Sequence, residues 1–300
     1  MLYSEYETEV NILIFYFLPE PTIHGGIKVG FQFAAMLSEL GLEIVVVTPN
    51  GAAPQWFTTR VPVTRREKVV SILSPKDRVI FSLPQDYQIL KELSAKLIFH
   101  CQGTDPAIIP VLMDQEVEIL TCWTQANEFA SKFSRDSVDV GISVSREFFY
   151  SGKIKTSRSF ATMPRRGNLP FSEKLKQFNE YQIDKMNESM TAKILQKASG
   201  FLARSEYEWF GLPALEAMAA GCVVVSPQTV GGNEYLISGQ NCLIETSENL
   251  SMKMAEVLSF EDKFDYLRMA AMQMSYRYHP ASHFRKLQNQ IEEGKLKFLN

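Results

Sequence analysis

Two glutamates set seven residues apart, Glu208 and Glu216, frame the stretch of this 300-residue chain best suited to chemistry. The sequence between them reads WFGLPAL. Pro213 sits where a first helical turn tolerates a missing N–H, and Gly221 follows the end of the helix so begun. The loop from Glu206 to Leu212 is therefore held between a strand and a helix N-terminus. Free backbone N–H groups and the positive end of the helix dipole make that place an anion site, large enough for a diphosphate. Glu208, in the loop, can accept hydrogen bonds from sugar hydroxyls. Glu216, in the first turn or so of the helix, can accept both hydroxyls of a ribose, since a carboxylate presents two oxygens to a vicinal diol. Read alone, Glu216 also suits a plain partner of the helix dipole.

Three other loops offer polar groups. Arg165 and Arg166 follow the strand that ends at Met163-Pro164, where guanidinium groups could bind a departing diphosphate or simply form a solvated pair. His24-Gly25-Gly26 follows the first apolar run, and Gly25 and Gly26 would let the backbone approach a phosphate or sugar closely, or make a tight turn. His100 closes the strand LIFHC ahead of Gln102-Gly103-Thr104-Asp105. It is either a proton-transferring group at a strand end, with Asp105 a weaker candidate beside it, or a satisfied core residue. His279 and His283 read as surface or capping residues. No D-x-D and no Cys/His cluster with ligand spacing occurs, so no metal is expected, and the arginines and helix dipole would take the place of a cation.

These loops need strands and helices to hold them. Asn11 to Phe17, Leu42 to Thr48, Arg78 to Ser82, Leu97 to Cys101, Val117 to Trp123 and Val138 to Val144 are apolar runs typical of strands buried on both faces of a parallel sheet. Helical spacing at Ile27, Phe31, Ala34 and Leu37, closed by Gly41, makes the first βαβ unit, and Asp86 to Ser94 reads as another helix. After a polar lapse at Phe149 to Ser159 a second series begins. Its strands are Ser159 to Met163, Gly200 to Arg204 and Cys222 to Ser226, with helices at Glu188 to Ala198 and Pro213 to Ala220. From Ser247 onward the pattern is helical, broken at His279-Pro280. Two α/β halves in tandem leave a cleft, and ligands of such sheets bind beyond the carboxyl ends of the strands.

Bulk composition narrows the classes. A 45% hydrophobic and 22% charged content is that of a soluble globular protein, and a net charge of −3 without basic runs excludes a nucleic-acid footprint. Cys101, Cys122, Cys222 and Cys242 form no C-x-x-C pair and read as buried free thiols, which suits a reducing cytoplasm. The start, with Glu5, Glu7 and Glu9, is not a secretory signal, and no apolar stretch is long enough to span a bilayer. Any membrane work would be done from the inner surface.

The segment EWFGLPALEAMAAG, together with CVVV and the Gly231-Gly232 loop, resembles the E-x7-E region of retaining GT-B glycosyltransferases, in particular family GT4. The resemblance is strong from about Lys193 to Leu243. It implies a GT-B fold: two Rossmann-like α/β/α domains facing across a cleft, here 1–152 on the acceptor side and 153–280 on the donor side. The C-terminal helix, 281–300, would return to the first domain. It implies ribose binding by Glu216, donor-sugar contacts from Glu208, and the backbone of Phe210, Gly211 and Leu212 lying against sugar and phosphates. MPRR resembles an M-P-R-K element whose basic residues hold the diphosphate. In some relatives a histidine placed like His100 faces the acceptor. The partners implied are a nucleoside-diphosphate sugar and a saccharide or glycolipid acceptor, with retention of configuration and no metal or other cofactor. Polysaccharide or glycoconjugate synthesis would be the setting. Two departures stand out: Trp209 replaces the usual glycine, and the stretch between MPRR and Lys193 is short. Two rivals remain open on the sequence, a non-catalytic binding subunit of the same fold and, with two glutamates as acid and nucleophile, a glycoside hydrolase.

Overall fold

A computed structural model describes residues 12–164, 173–231 and 234–299. Seven strands form the first sheet: β1 (Leu13–Phe17), β2 (Glu43–Thr48), β3 (Val63–Arg65), β4 (Arg78–Phe81), β5 (Lys96–Cys101), β6 (Glu118–Thr121) and β7 (Ser137–Asp139). Helices α1 (Gly25–Glu39), α2 (Arg66–Val70), α3 (Pro84–Leu90), α4 (Ile109–Met113) and α5 (Thr124–Ser131) connect them. The order across this sheet is β3-β2-β1-β4-β5-β6-β7. The second sheet holds β8 (Thr156–Thr162), β9 (Asn179–Gln182), β10 (Ala198–Leu202), β12 (Val223–Pro227) and β14 (Leu243–Glu245), ordered β14-β12-β10-β8-β9. Around it lie α6 (Glu188–Lys197), α7 (Leu212–Ala219), α8 (Leu250–Ser259) and α9 (Asp265–Ser275). A small pair, β11 (Tyr207–Glu208) with β13 (Val230–Gly231), stands apart. Every strand pairing is parallel, so the chain must cross over between strands, and the crossover helices bury both sheet faces.

Both sheets reverse their winding once. In the first, β1 and β4 are neighbours although the chain leaves β1 toward β2. In the second, β8 and β10 are neighbours while β9 lies outside. The loops that leave such adjacent strands in opposite directions open a crevice, which is where α/β sheets bind ligands. The two crevices are lined by Pro19, His24, Gly25 and Gly26 with Ser82 and Leu83 on one side, and by Met163 with Ala203, Arg204 and Ser205 on the other.

One apolar cluster runs through both halves, from Phe99 and Trp123 in the first to Phe210 and Met218 in the second. A second cluster covers the outer face of the first sheet with α1, and it also includes Leu287, Leu296 and Phe298. The last helix, α10 (Pro280–Glu292), and the residues after it thus return to the first half. Arg78 Nε donates to Phe298 O (2.7 Å) and Gln290 Nε2 to Asp139 O (2.6 Å). The two segments that pass between halves touch: Val144 N donates to Tyr278 O at 2.9 Å.

Three local expectations change. The strand expected over Val138 to Val144 is only β7, because Gly141 turns into the left-handed region (φ 86°) and the chain leaves the ladder there. The helix expected at Asp86 to Ser94 starts at Pro84 and ends at Leu90. His283, expected at the surface, is buried, and burial lowers its pKa to about 4. His279 is a cap as expected, its Nδ1 accepting from Ala281 N at 3.2 Å.

Candidate functional site

The N-termini of two helices meet at the cleft, one from each half. Gly25 opens α1 and Leu212 opens α7; a Cβ on Gly25 would stand 3.3 Å from Leu212 Cδ1. A side chain there would push Leu212 aside, and Gly211, the N-cap of α7, needs glycine for its φ of 85° and ψ of 42°. Tyr235 Oη donates to Gly211 O and pins the turn. Gly26 is tighter: a Cβ there would lie 2.6 Å from Gln102 Oε1, while Gly26 N donates to His24 Nδ1 at 3.2 Å. Two helix dipoles therefore converge, the electrostatics of an anion site. A cavity of about 490 Å3 opens beside them, bordered by Gly25, Gly26, Gln102, Glu208, Trp209 and Gly211.

Glu208 lies in β11, paired in register with Gly231, so the structure brings these two expected site residues together. Glu208 borders both that cavity and the crevice at Met163, Arg204 and Ser205. Trp209 is half-exposed, and its indole reaches across the cleft to Gly103, where a Cβ would meet Trp209 Cδ2 at 3.4 Å. Phe210 turns inward, its ring 5.2 Å from Trp123 of the first half, 5.4 Å from Tyr235 and 5.6 Å from Tyr278. This aromatic group fixes the loop that carries Glu208. Arg165, Arg166 and Gly232 lie outside the described residues.

Glu216 is the fifth residue of α7 and opens onto an adjoining small pocket of about 60 Å3, shared with Lys28, Trp56, Ile183, Met186 and Glu188. Glu216 Oε1 is 2.7 Å from Lys28 Nζ, and the same ammonium is 2.5 Å from Glu188 Oε1 and 4.5 Å from the centre of the Phe148 ring. Burial by itself would depress the Lys28 pKa, but Glu216 and Glu188 together outweigh it and raise it, so the ammonium stays charged. Lys28 comes from α1 of the first half and was not singled out in the sequence. The signal available was one charge in the otherwise uncharged run IKVGFQFAAML. Glu234 also escaped notice. Burial raises its pKa, while Thr124 and the backbone N–H groups of Thr124 and Gln125 hold its carboxylate at the start of α5, a second tie between halves.

His100 does not face the cleft. It is fully buried, with Nδ1 2.5 Å from Tyr16 Oη, Nε2 2.9 Å from Cys122 Sγ, and the Phe33 ring 4.7 Å from its own. Burial, and to a lesser degree His283, lowers its pKa to about 3. As the penultimate residue of β5 it points into the α1 side of the sheet, whereas Phe99 and Gln102 border the cavity. The expectation of a histidine facing an acceptor is corrected: alternation along the strand turns this side chain inward. Asp105 does reach the cavity edge, although its Oδ1 accepts from Ala107 N at 2.8 Å. The four cysteines are buried.

The architecture is the GT-B fold. Solved structures of this fold align over nearly the whole chain. A glycosyltransferase from Rickettsia africae aligns with TM-score 0.68 at 12% identity, over 95% of this chain and 98% of its own. The HepE protein of Anabaena in complex with UDP-glucose gives 0.72 at 11% identity, over 94% and 100%. A sucrose-phosphate synthase from Thermosynechococcus elongatus gives 0.70 at 11%, over 94% and 98%. At such identities the likeness is one of fold. In sequence, residues 182–274 match the family model for glycosyl transferases group 1, the stretch that carries Glu208 and Glu216. No curated protein matches the sequence.

Proposed function

We propose that the protein is a glycosyltransferase that takes a sugar from a nucleoside diphosphate sugar to an acceptor hydroxyl, with retention and without a metal. The observation that carries this reading is the meeting of the α7 and α1 N-termini between Glu208 and Glu216. The family match over residues 182–274 and the UDP-glucose held by a neighbour of the same fold support it. In this reading Glu216 binds the ribose and Glu208 the donor sugar, while the two helix ends and Arg165 with Arg166 take up charge on the diphosphate as it leaves. The bond from the anomeric carbon to the phosphate oxygen breaks, and one to the acceptor oxygen forms. Retention sets both oxygens on one face of the sugar, so the departing diphosphate is itself placed to accept the acceptor proton. That assignment suits a site from which His100 is withdrawn. Polysaccharide or glycoconjugate synthesis at the cytoplasmic side is the setting this chemistry fits. Among the described residues no helix is long and apolar enough to cross a membrane.

A hydrolase would need both carboxyl groups at one bond. Glu216 is instead buried and ion-paired to Lys28, while Glu208 lies in β11, paired with Gly231. Thermal unfolding against UDP, GDP, ADP and their sugars, with and without chelator, tests the proposal. One nucleotide should stabilise the protein by about 2.7 kcal/mol at a hundredfold excess over Kd, unaffected by chelator and lost in Glu216→Ala. No shift with any nucleotide would end the transferase reading. A shift without turnover on any acceptor would leave a binding subunit.

A further inference from the structure

We infer that Lys28, supplied by the first half, is a positioning residue of the nucleotide site: it holds one oxygen of Glu216 and so sets that carboxylate to receive the two hydroxyls of a ribose. The inference rests on the donor-site reading of Glu216 and adds to it a residue from the opposite half.

Lys28 is 3% exposed, on a helix whose neighbouring residues Ile27, Val29 and Phe31 are core. A lysine is seldom buried this deeply, because its ammonium must give up water. Here its N–H donors are directed to Glu188 Oε1 (2.5 Å) and Glu216 Oε1 (2.7 Å), with the Phe148 ring face at 4.5 Å. Glu188 is in turn fixed by Ser145 Oγ (2.5 Å), and Gln32 Nε2 donates to that hydroxyl at 3.0 Å. The chain Gln32–Ser145–Glu188–Lys28–Glu216 crosses between the halves at each of its last three links and leaves Glu216 little rotational freedom. One ammonium is thus shared by two carboxylates that line the same small pocket. Hydroxyl donors suit carboxylates that share a single cation and a further anion does not, which matches a ribose diol and directs the diphosphate elsewhere, toward the helix N-termini. Because the cation comes from one half and Glu216 from the other, the site is complete only while the halves are together.

The test uses calorimetric titration of the full chain with UDP, GDP and ADP, each against its 2′-deoxy counterpart. The wild type should prefer the ribose form of the nucleotide it binds by roughly tenfold or more, the worth of a hydrogen bond to a charged group. Glu216→Gln should erase the preference. Lys28→Met leaves two carboxylates without a cation and risks unfolding. The double variant Lys28→Met/Glu188→Gln restores the cluster charge, and its preference should shrink to within about twofold. A lysine that only braced the fold would weaken both nucleotides alike and keep the ratio. A tenfold preference surviving in the double variant, with Glu216→Gln flat, therefore overturns the role of Lys28 and spares the donor site. No preference in the wild type removes the ribose role of Glu216, and the inference falls with it.

Discussion

At the scale of single residues, burial decides what an ionisable group can do. Lys28 is buried with two carboxylates and stays charged, whereas His100 is buried among Tyr16, Phe33 and Cys122 and stays neutral. His283 behaves like His100. For both, burial sets the folded pKa below the ordinary 6.5, at about 3 for His100 and about 4 for His283. As pH falls below 6.5 the unfolded chain takes up protons that the folded chain refuses, so stability present at neutral pH is lost on acidification, down to those lower values. Urea unfolding at pH 7.5 and 5.5 should show a loss of about 1.4 kcal/mol per buried histidine. His283→Gln should lose correspondingly less, and an equal loss in that variant would mean other groups carry the effect. The types and spacing of Glu208, Glu216, Gly25 and Gly211 were legible because glycine, proline and helix-end chemistry act locally. The inward turn of His100 was not legible. Which face of a fully buried strand meets the cleft depends on the layers on both sides, and a strand apolar on both faces carries no alternation to show it.

At the scale of elements, the apolar runs announced the buried strands of both sheets. The strands that went unread are the short edge strands β3, β9 and β14 and the two-residue pair β11 and β13. β9, for instance, is NEYQ, with no fully buried side chain to mark it. Helix α7 is the element on which the site depends, and its start depends on Gly211. A Cβ at φ 85° meets the neighbouring backbone, which costs about 1–2 kcal/mol. Gly211→Ala should lower unfolding stability by that amount and weaken the proposed nucleotide binding several-fold, since the start of α7 is displaced together with the Tyr235 contact. Unchanged values of both in urea unfolding and titration would show that the left-handed cap is dispensable.

At the scale of the molecule, the halves are two sheets made one body. The apolar cluster through Trp123 and Phe210, the Lys28 cluster and Glu234 all span them. The C-terminal residues complete the outer core of the first half: Phe298 is fully buried beside Leu287 and Leu296. Phe298→Ala should cost about 3–5 kcal/mol, measured by urea unfolding. A cost below about 1 kcal/mol would mean that the return of the chain contributes little. Tandem α/β halves could be read from the sequence, and so could a last helix crossing back. The particular side chains that join the halves could not be read, because contacts between residues 188 positions apart, such as Lys28 and Glu216, leave no local pattern.

The chain passes between the halves twice, and the two passages are bonded to each other through Val144 and Tyr278. A single tether would let one half swivel or slide freely. Two tethers lying side by side behave like the spine of a book, permitting rotation about the line that joins them and resisting twist and shear. An opening of the cleft would then be confined to one degree of freedom. Closing along that arc would return Gly25 to Leu212 and Lys28 to Glu216 in the same register, without a search.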